Sequence, residues 1–261
     1  MKHNDITKPI GLKEACEAIE HICSMAHVYK KCGMRPNHSI VQLDSGSGRT
    51  TLLEYMTDMF KQSQVLDFSS GLDDYLEISF DGTLTQLKQA FSVIDSAAVY
   101  TNKYSNIIGM DISEIACHIG ETQFTEFMNR SKEVCDYACV VFFVRSVPTR
   151  NEEKMIEKLL ETIDNVERLA ITPYNTDDLC ALISKVIKDH GVTVQNECGF
   201  MENLSEIVSE QHITSVRTAI SLSERIVCHA DFSGFVPMVN EKTLLVMNSE
   251  LRDGFERRDV K

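Results

Sequence analysis

Apolar residues recur at helical spacing over the first part of the chain. Between Gly11 and Lys31 they stand three or four positions apart, which predicts an amphipathic helix that Gly33 and Pro36 terminate. A short apolar run at residues 39–43 then predicts a strand. It leads into a glycine-containing turn at residues 44–50 and a second amphipathic helix, whose apolar side chains are Leu52, Leu53, Met56, Met59 and Phe60.

Strand and helix patterns alternate through the middle of the chain. The predicted strands cover residues 75–80, 106–110, 138–144 and 168–171, and the predicted helices cover residues 84–99, 122–134 and 152–163. Several of the strands are continuously apolar, which is typical of a parallel sheet covered on both faces. The alternation therefore predicts an α/β fold, with a parallel sheet flanked by helices.

The strand patterns stop after Pro173. Helical patterns follow at residues 176–190, 201–211 and 212–230, and the first of them opens with Thr176, Asp177 and Asp178, which suit a helix N-terminus. The pattern predicts four segments. These are an N-terminal helix (1–36), an α/β domain (37–173), a small α-helical domain (174–240) and a C-terminal tail (241–261).

Composition narrows the class of protein. The net charge of −13 disfavours nucleic acid as a partner, because a phosphate backbone would be repelled. The nine cysteines show no metal-binding spacing; the nearest pair, Cys135 and Cys139, has the spacing of a helix. Buried thiols in a reducing compartment, together with the lack of an apolar run long enough to span a membrane, predict a cytoplasmic protein.

The turn between the first strand and the second helix carries the clearest candidate chemistry. In a phosphate-binding loop, a glycine-rich turn directs backbone N–H groups inward, a Lys neutralises phosphates and a Ser or Thr hydroxyl holds Mg²⁺. Gly46, Gly48 and Thr50 have the required spacing, whereas Arg49 replaces the Lys and Leu43 stands at the first glycine position. The predicted nucleotide-binding residues are Ser45, Gly46, Ser47, Gly48, Arg49, Thr50 and Thr51. The alternative is a turn with a purely structural role.

The segments around this loop resemble the CbxX/CfxQ family of AAA+ ATPases. Residues 10–14 (Ile-Gly-Leu-Lys-Glu) and 30–36 (Lys-Lys-Cys-Gly-Met-Arg-Pro) are similar to the segments that precede the phosphate loop in that family. Residues 59–61 through 76–79, 177–190 and 214–225 are also similar, so that the resemblance covers roughly residues 10–230. It implies a P-loop AAA+ domain followed by a helical lid, ATP or ADP with Mg²⁺ as cofactors, and an oligomer of AAA+ subunits as partner.

The same resemblance implies roles for two acidic residues. The family's third strand ends in Asp-Glu, where the Asp holds Mg²⁺ through water and the Glu polarises the attacking water. Here the strand ends at Asp111, but Ile112 follows it and the next acidic residue is Glu114. Asp111 and Glu114 are therefore the catalytic candidates, and Thr50 and Asp111 the metal candidates. The alternative role for Asp111 is a cap for the following segment.

Other functional positions of the family are altered or missing. Residues 80–84 lead almost directly into the next predicted helix, which leaves no room for the family's pore loop that grips polypeptide. We therefore expect no threading. The arginine-finger segment matches residues 160–164, which contain no arginine. The resemblance implies Ser146 as the sensor 1 group. The sensor 2 position aligns with Thr214, with Arg217 one turn later.

These features predict a nucleotide-binding AAA+ module with weak or absent hydrolysis, acting as a regulatory or scaffolding subunit. One alternative is an active ATPase completed by a partner subunit or by residues such as Arg145, Arg150 and Glu114. The other is an interaction protein that binds no nucleotide.

Overall fold

The computed structural model describes residues 6–66, 68, 75–79, 88–89, 92, 106–115, 120–232, 234 and 236–256. The chain divides into two compact units, Met1–Thr172 and Pro173–Lys261. This division falls next to the boundary that the hydrophobic pattern places at residue 173.

The first unit is built on a five-stranded sheet. Every pairing is parallel and the order is β2-β3-β4-β1-β5. The strands are β1 (His38–Gln42), β2 (Tyr75–Ile78), β3 (Ile107–Asp111), β4 (Cys139–Val144) and β5 (Val166–Ala170). The predicted parallel sheet is thereby confirmed. Because all five strands run the same way, their carboxyl ends meet at one edge of the sheet.

Helices cover both faces of this sheet, as expected for buried strands. They are α1 (Lys13–Ser24), α2 (Ala26–Cys32), α3 (Arg49–Ser63), α4 (Glu121–Cys135) and α5 (Arg150–Thr162). The predicted helix at residues 84–99 and the connection at residues 80–84 lie outside the described residues, apart from the helical positions 88, 89 and 92.

The single helix predicted for residues 11–31 is two helices. It breaks at Met25, where the backbone has φ −92° and ψ 3°. The hydroxyl of Ser24 donates to the carbonyl oxygen of His21 at 2.7 Å. A side chain therefore satisfies one of the backbone carbonyls at the end of α1. Apolar spacing continues through the break, which is why the pattern alone did not show it.

The central strand β4 supplies the core of this unit. All six of its residues are buried, and Val140, Phe142 and Val144 pack with apolar side chains of α4 and α5. On the opposite face, a Cβ added to Gly109 would meet Leu53 Cδ1 at 2.5 Å and the Phe143 ring at 3.1 Å. The missing side chain at Gly109 therefore allows α3 to approach the sheet closely.

Helix α1 belongs to this core. Leu12, Ala15, Cys16 and Ile19 on its inner face are buried. The hydroxyl of Tyr55 in α3 donates to Glu20 at 2.9 Å. The amphipathic pattern of α1 is therefore satisfied within its own unit.

The second unit is a helical bundle with a small strand pair. Its helices are α6 (Thr176–Asp189), α7 (Glu197–Glu210), α8 (Val216–Cys228) and α9 (Glu241–Glu256), and its strands are β6 (Thr193–Val194) and β7 (Met238–Val239). The strand pair was not predicted, because each strand has only two residues. The segment interpreted as a tail begins with α9, whose Leu244 and Met247 are buried in the core of this unit. No described helix is long and apolar enough to cross a membrane.

A pH dependence of stability is expected from His38 at the start of β1. The side chain is buried, and its Nδ1 accepts a hydrogen bond from the backbone N–H of Val140 at 3.1 Å. Burial, assisted by the charge of Arg35 and opposed by that of Asp136, lowers the pKa of His38 to about 4. Below the ordinary pKa of about 6.5, the unfolded chain binds a proton that the folded chain does not. The free energy of unfolding should therefore fall by up to about 3 kcal/mol as the pH drops from about 6.5 to 4.

Urea unfolding of wild type and His38→Gln over this pH range measures the effect. Gln keeps a hydrogen-bond acceptor but does not titrate, so the variant should lose this part of the pH dependence. The exposed His27→Gln is the matched control and should behave as wild type. Equal pH slopes for wild type and His38→Gln would contradict the assignment.

Candidate functional site

The candidate site lies at the carboxyl edge of the sheet, where the ends of β1, β3 and β4 meet. From β1 the chain passes through the loop 43–48 into α3 and then to β2 at the far side of the sheet. The later strands return in the opposite direction, so the loop stands where the strand order reverses. In open α/β sheets, this is the position at which ligands bind.

The backbone of the loop has the curled form that its glycines predict. Gly46 has φ 79° and Gly48 has φ 92°, in the left-handed region that favours glycine. The N–H of Ser47 donates to the carbonyl of Asp44 at 3.1 Å, which closes the turn. Gly48 forms the N-cap of α3 without a side-chain cap, so the positive end of a 15-residue helix faces the loop.

The side chain of Arg49, which stands at the position of the phosphate-loop lysine, is turned inward and lies against the ends of the strands. The residue is buried, with 6 % of its surface exposed. Its Nε donates to the carbonyl of Leu43 at 2.7 Å, and its guanidinium lies 5.3 Å from the centre of the Phe143 ring. The same guanidinium forms a hydrogen-bonded ion pair with Asp111. Arg49 therefore joins the ends of β1, β3 and β4 in a single set of contacts.

Both carboxylate oxygens of Asp111 have protein partners. One is paired with Arg49, and the other accepts the backbone N–H of Ser113 at 3.0 Å. The contact with the Ser113 N–H is of the kind expected for the alternative role, a cap for the following segment. The predicted role as a metal ligand stays a prediction, but the surroundings of Asp111 do not fit a dication because a guanidinium is already in contact with the carboxylate.

Thr50, the other predicted metal ligand, is exposed at the start of α3. Its hydroxyl donates to Glu77 of β2 at 2.7 Å. Ser45 and Thr51 are also exposed at this end of the helix.

Ser146 is held against the loop by Asp44. Both its backbone N–H, at 3.0 Å, and its hydroxyl, at 2.5 Å, donate to the carboxylate of Asp44. The predicted sensor residue thus reaches the site, but its hydroxyl is directed to a protein group. Asp44, Glu77 and Phe143 were missed as site residues. Asp44 carried a signal, since an acidic side chain directly after β1 stands inside the phosphate loop.

Ile112, which follows Asp111 at the position where the resemblance implies a water-polarising Glu, is part of the core. Ile112 is fully buried, and its N–H donates to the carbonyl of Phe143 at 3.0 Å. Glu114 forms an ion pair with Arg145 at 2.8 Å, and Arg145 also lies 3.7 Å from the buried Glu152. Glu114 is therefore engaged away from Asp111.

Arg217, the candidate sensor 2 residue, belongs to the second unit. It is exposed in the first turn of α8, and Thr214 precedes that helix.

Comparison with known proteins identifies the fold. No family model and no curated protein matches the sequence. Among solved structures, the Thermotoga maritima RuvB Holliday junction branch migration motor matches with a TM-score of 0.56 and 15% identity, over 90% of this chain and 69% of that one. Two variants of that protein match over 93% of this chain and 70% of theirs. One has alanine in place of an arginine (TM-score 0.56, 15% identity) and the other arginine in place of a lysine (TM-score 0.58, 14% identity).

The chain has the AAA+ fold. The parallel five-stranded sheet with flanking helices and the C-terminal helical unit match it, as the sequence predicted. At this identity the similarity shows the fold alone, so the narrower resemblance to the CbxX/CfxQ family stays a prediction.

The Arg49–Asp111 pair should contribute strongly to stability. Asp111→Ala leaves a buried guanidinium without its counter-charge, and we expect a loss of about 3 kcal/mol in the free energy of unfolding. The exposed pair between Glu126 and Arg130 on α4 is the matched control, and Glu126→Ala should cost less than about 1 kcal/mol.

Chemical denaturation of the two variants measures the difference. The double variant Arg49→Met with Asp111→Leu should recover much of the loss, because apolar side chains of similar size often replace a buried pair without penalty. Equal costs for Asp111→Ala and Glu126→Ala would show that the buried pair does not stabilise the sheet edge.

Proposed function

We propose that this chain is a degenerate AAA+ module that binds ATP or ADP weakly at residues 45–51. It hydrolyses ATP slowly or not at all, and it acts as a regulatory or scaffolding subunit in an assembly of AAA+ subunits. The observation that carries the proposal is the burial of Arg49 against Asp111. Because the two side chains bind each other, neither is available to bind a nucleotide or a metal ion.

The loop keeps what is needed to hold a phosphate. Left-handed glycines at 46 and 48 curl the backbone, and the N-terminus of α3 presents unpaired N–H groups and a partial positive charge. The ligand class is therefore a nucleotide whose terminal phosphates enter the loop.

Two features weaken this binding. A phosphate-loop lysine normally donates to the phosphates, and a hydrogen bond to a charged group contributes about 1.5–3 kcal/mol. Withdrawal of Arg49 beneath the loop removes that contact, which corresponds to a loss of roughly tenfold to a hundredfold in affinity. In addition, the exposed carboxylate of Asp44 stands inside the loop and repels an anion.

The hydrolytic machinery is incomplete among the described residues. Ile112 is buried and apolar, and Glu114 is held by Arg145. Residues 160–164, which match the finger segment, contain no arginine. An arginine finger alone accelerates hydrolysis about 10³- to 10⁵-fold in the best-studied systems, so its loss would leave only slow turnover.

An interaction protein without nucleotide is the second candidate. The observation in its favour is that the side chains of Arg49, Thr50, Asp111 and Ser146 all have hydrogen-bond partners within the protein. The third candidate, an ATPase completed by a partner subunit, requires that subunit to supply a water-polarising group and a finger. A binding measurement with nucleotide distinguishes the degenerate module, which binds it, from the interaction protein, which does not. A measurement of phosphate release in the presence of a partner subunit identifies the third candidate.

Measurable binding of ADP and ATP is expected in calorimetry and thermal unfolding. A Kd of roughly 0.5 mM would raise the free energy of unfolding by about 1.4 kcal/mol at ~5 mM ligand. Gly48→Ala should abolish the effect, because a side chain at φ 92° strains the loop backbone. Gly33→Ala is the matched control: Gly33 has φ 63° but ends α2, away from the loop. Absence of heat and of stabilisation in wild type at these concentrations would favour the interaction protein.

Phosphate release from ATP by the isolated chain should be below the ordinary enzyme range of about 1–10³ s⁻¹. The physical reason is that no described side chain near Asp111 is placed to polarise water. Asp111→Asn should leave this slow rate unchanged. A rate within the ordinary range that is insensitive to Asp111→Asn would show that another residue set performs hydrolysis, and a rate that rises on mixing with an AAA+ partner would favour the third candidate.

A further inference from the structure

The charge that a metal ion would neutralise at this site is already neutralised. In the AAA+ fold, the acidic residue at the end of β3 is the expected partner of Mg²⁺. Here Asp111 contacts the Arg49 guanidinium with one oxygen and the N–H of Ser113 with the other. A dication at this carboxylate would have to approach a fixed positive charge, and like charges at such short range repel strongly.

The guanidinium cannot simply swing away to admit a metal. Arg49 is held by the carbonyl of Leu43 at 2.7 Å and by the face of the Phe143 ring, as well as by Asp111. Only 6 % of the residue is exposed, so movement of the guanidinium into solvent would also leave a cavity in a close-packed region. A planar guanidinium with five donors can satisfy these partners together, which a lysine ammonium cannot.

The second predicted metal ligand is directed elsewhere. Thr50 donates its hydroxyl proton to Glu77, on the edge strand β2, and is therefore not linked to Asp111. Across the part of the chain that the structure describes, no three His, Cys, Asp or Glu side chains are grouped to hold a metal ion. The oxygen donors at this edge are already in contact with protein groups: Thr50 with Glu77, and Ser146 with Asp44.

What remains at the loop is suited to phosphate rather than to metal. The N–H groups of the loop and the N-terminus of α3 attract an anion without the help of a cation. A third phosphate would lie near the exposed carboxylates of Asp44 and Glu77 with no counter-ion between them. This arrangement favours a diphosphate over a triphosphate.

From these contacts we infer that Arg49 takes the electrostatic place of Mg²⁺ at Asp111, so that the loop binds a nucleoside diphosphate without metal. The inference rests on the proposed function, since it specifies the form of the nucleotide that the same loop takes. It departs from the metal requirement that the fold and the sequence resemblance imply.

The test is calorimetric titration of the full chain with ADP, once with ~5 mM Mg²⁺ and once with EDTA in place of the metal. The affinities should agree within about threefold, or be higher in EDTA, because free ADP carries more negative charge toward the helix N-terminus. A loss of affinity of about tenfold or more in EDTA overturns the inference and leaves the proposed function standing. Absence of binding in both buffers overturns both.

The role of the guanidinium is tested by Arg49→Lys. An ammonium cannot hold Leu43, Phe143 and Asp111 together, so Asp111 becomes available and ADP binding should become tighter in Mg²⁺ than in EDTA by about tenfold. Glu77→Gln, which removes the other carboxylate in contact with the start of α3, should remain metal-independent, and the exposed Glu126→Gln on α4 is the matched control. Metal independence of Arg49→Lys would overturn the assignment of this role to Arg49. Mg²⁺-dependent binding by wild type that is lost in Glu77→Gln would show that Glu77 holds the metal, which overturns the inference.

A measurement on wild type alone decides the case where Arg49→Lys fails to fold. With Mn²⁺ as the probe, the paramagnetic resonance signal of free Mn²⁺ in the presence of ADP should be unchanged or larger when the protein is added, because ADP bound without metal is withdrawn from Mn²⁺. A decrease caused by the protein would mean that it holds the metal together with ADP, which would overturn the inference.

Discussion

The buried pair between Arg49 and Asp111 is the interaction on which the carboxyl edge of this sheet depends. It joins the ends of β1, β3 and β4, the three central strands, and it places a full positive charge where only 6 % of the residue reaches solvent. Such a pair is stable only when its remaining donors find partners, which the carbonyl of Leu43 and the Phe143 ring provide. Two other departures from the phosphate-loop pattern, at Leu43 and Ile112, also serve the packing of this edge. Leu43 and Ile112 are both buried, so the positions at which an ATPase has a glycine and a glutamate here contribute to packing.

The stability of the fold and the contacts at the carboxyl edge depend largely on different residues. A large part of the core of the first unit lies along β4 and under α4 and α5, whereas Asp44 and Ser45 in the loop are polar and exposed. Changes at the carboxyl edge can therefore accumulate while the sheet is preserved. For the same reason the fold is a poor guide to activity, which depends on the contacts of individual side chains such as Arg49, Thr50 and Asp111.

The fold was largely predictable because its strongest signals are local. The continuous apolar run of β4 and the glycine turn after β1 can be read from neighbouring residues. The direction of the Arg49 side chain could not be predicted in this way, because its partner Asp111 is 62 positions away in the sequence. The contact between Asp44 and Ser146 was missed for the same reason, since the two residues are 102 positions apart. The break at Met25 and the two-residue strands β6 and β7 were missed for a different reason, since neither interrupts or creates a recognisable periodicity.

The position of β1 has a consequence for how the protein is made. This strand lies early in the sequence, whereas its neighbours in the sheet, β4 and β5, lie much later. Ser39 is opposite Val141 and His38 is opposite Val166. During synthesis, β1 must wait until roughly 100 further residues have left the ribosome before it can pair in the sheet, because Ser39 lies opposite Val141. Pairings over such distances close slowly, because a long loop must be ordered first. The nascent chain is therefore exposed to aggregation for most of its translation, and a chaperone that shields its first 60 residues or so would be expected to improve its yield.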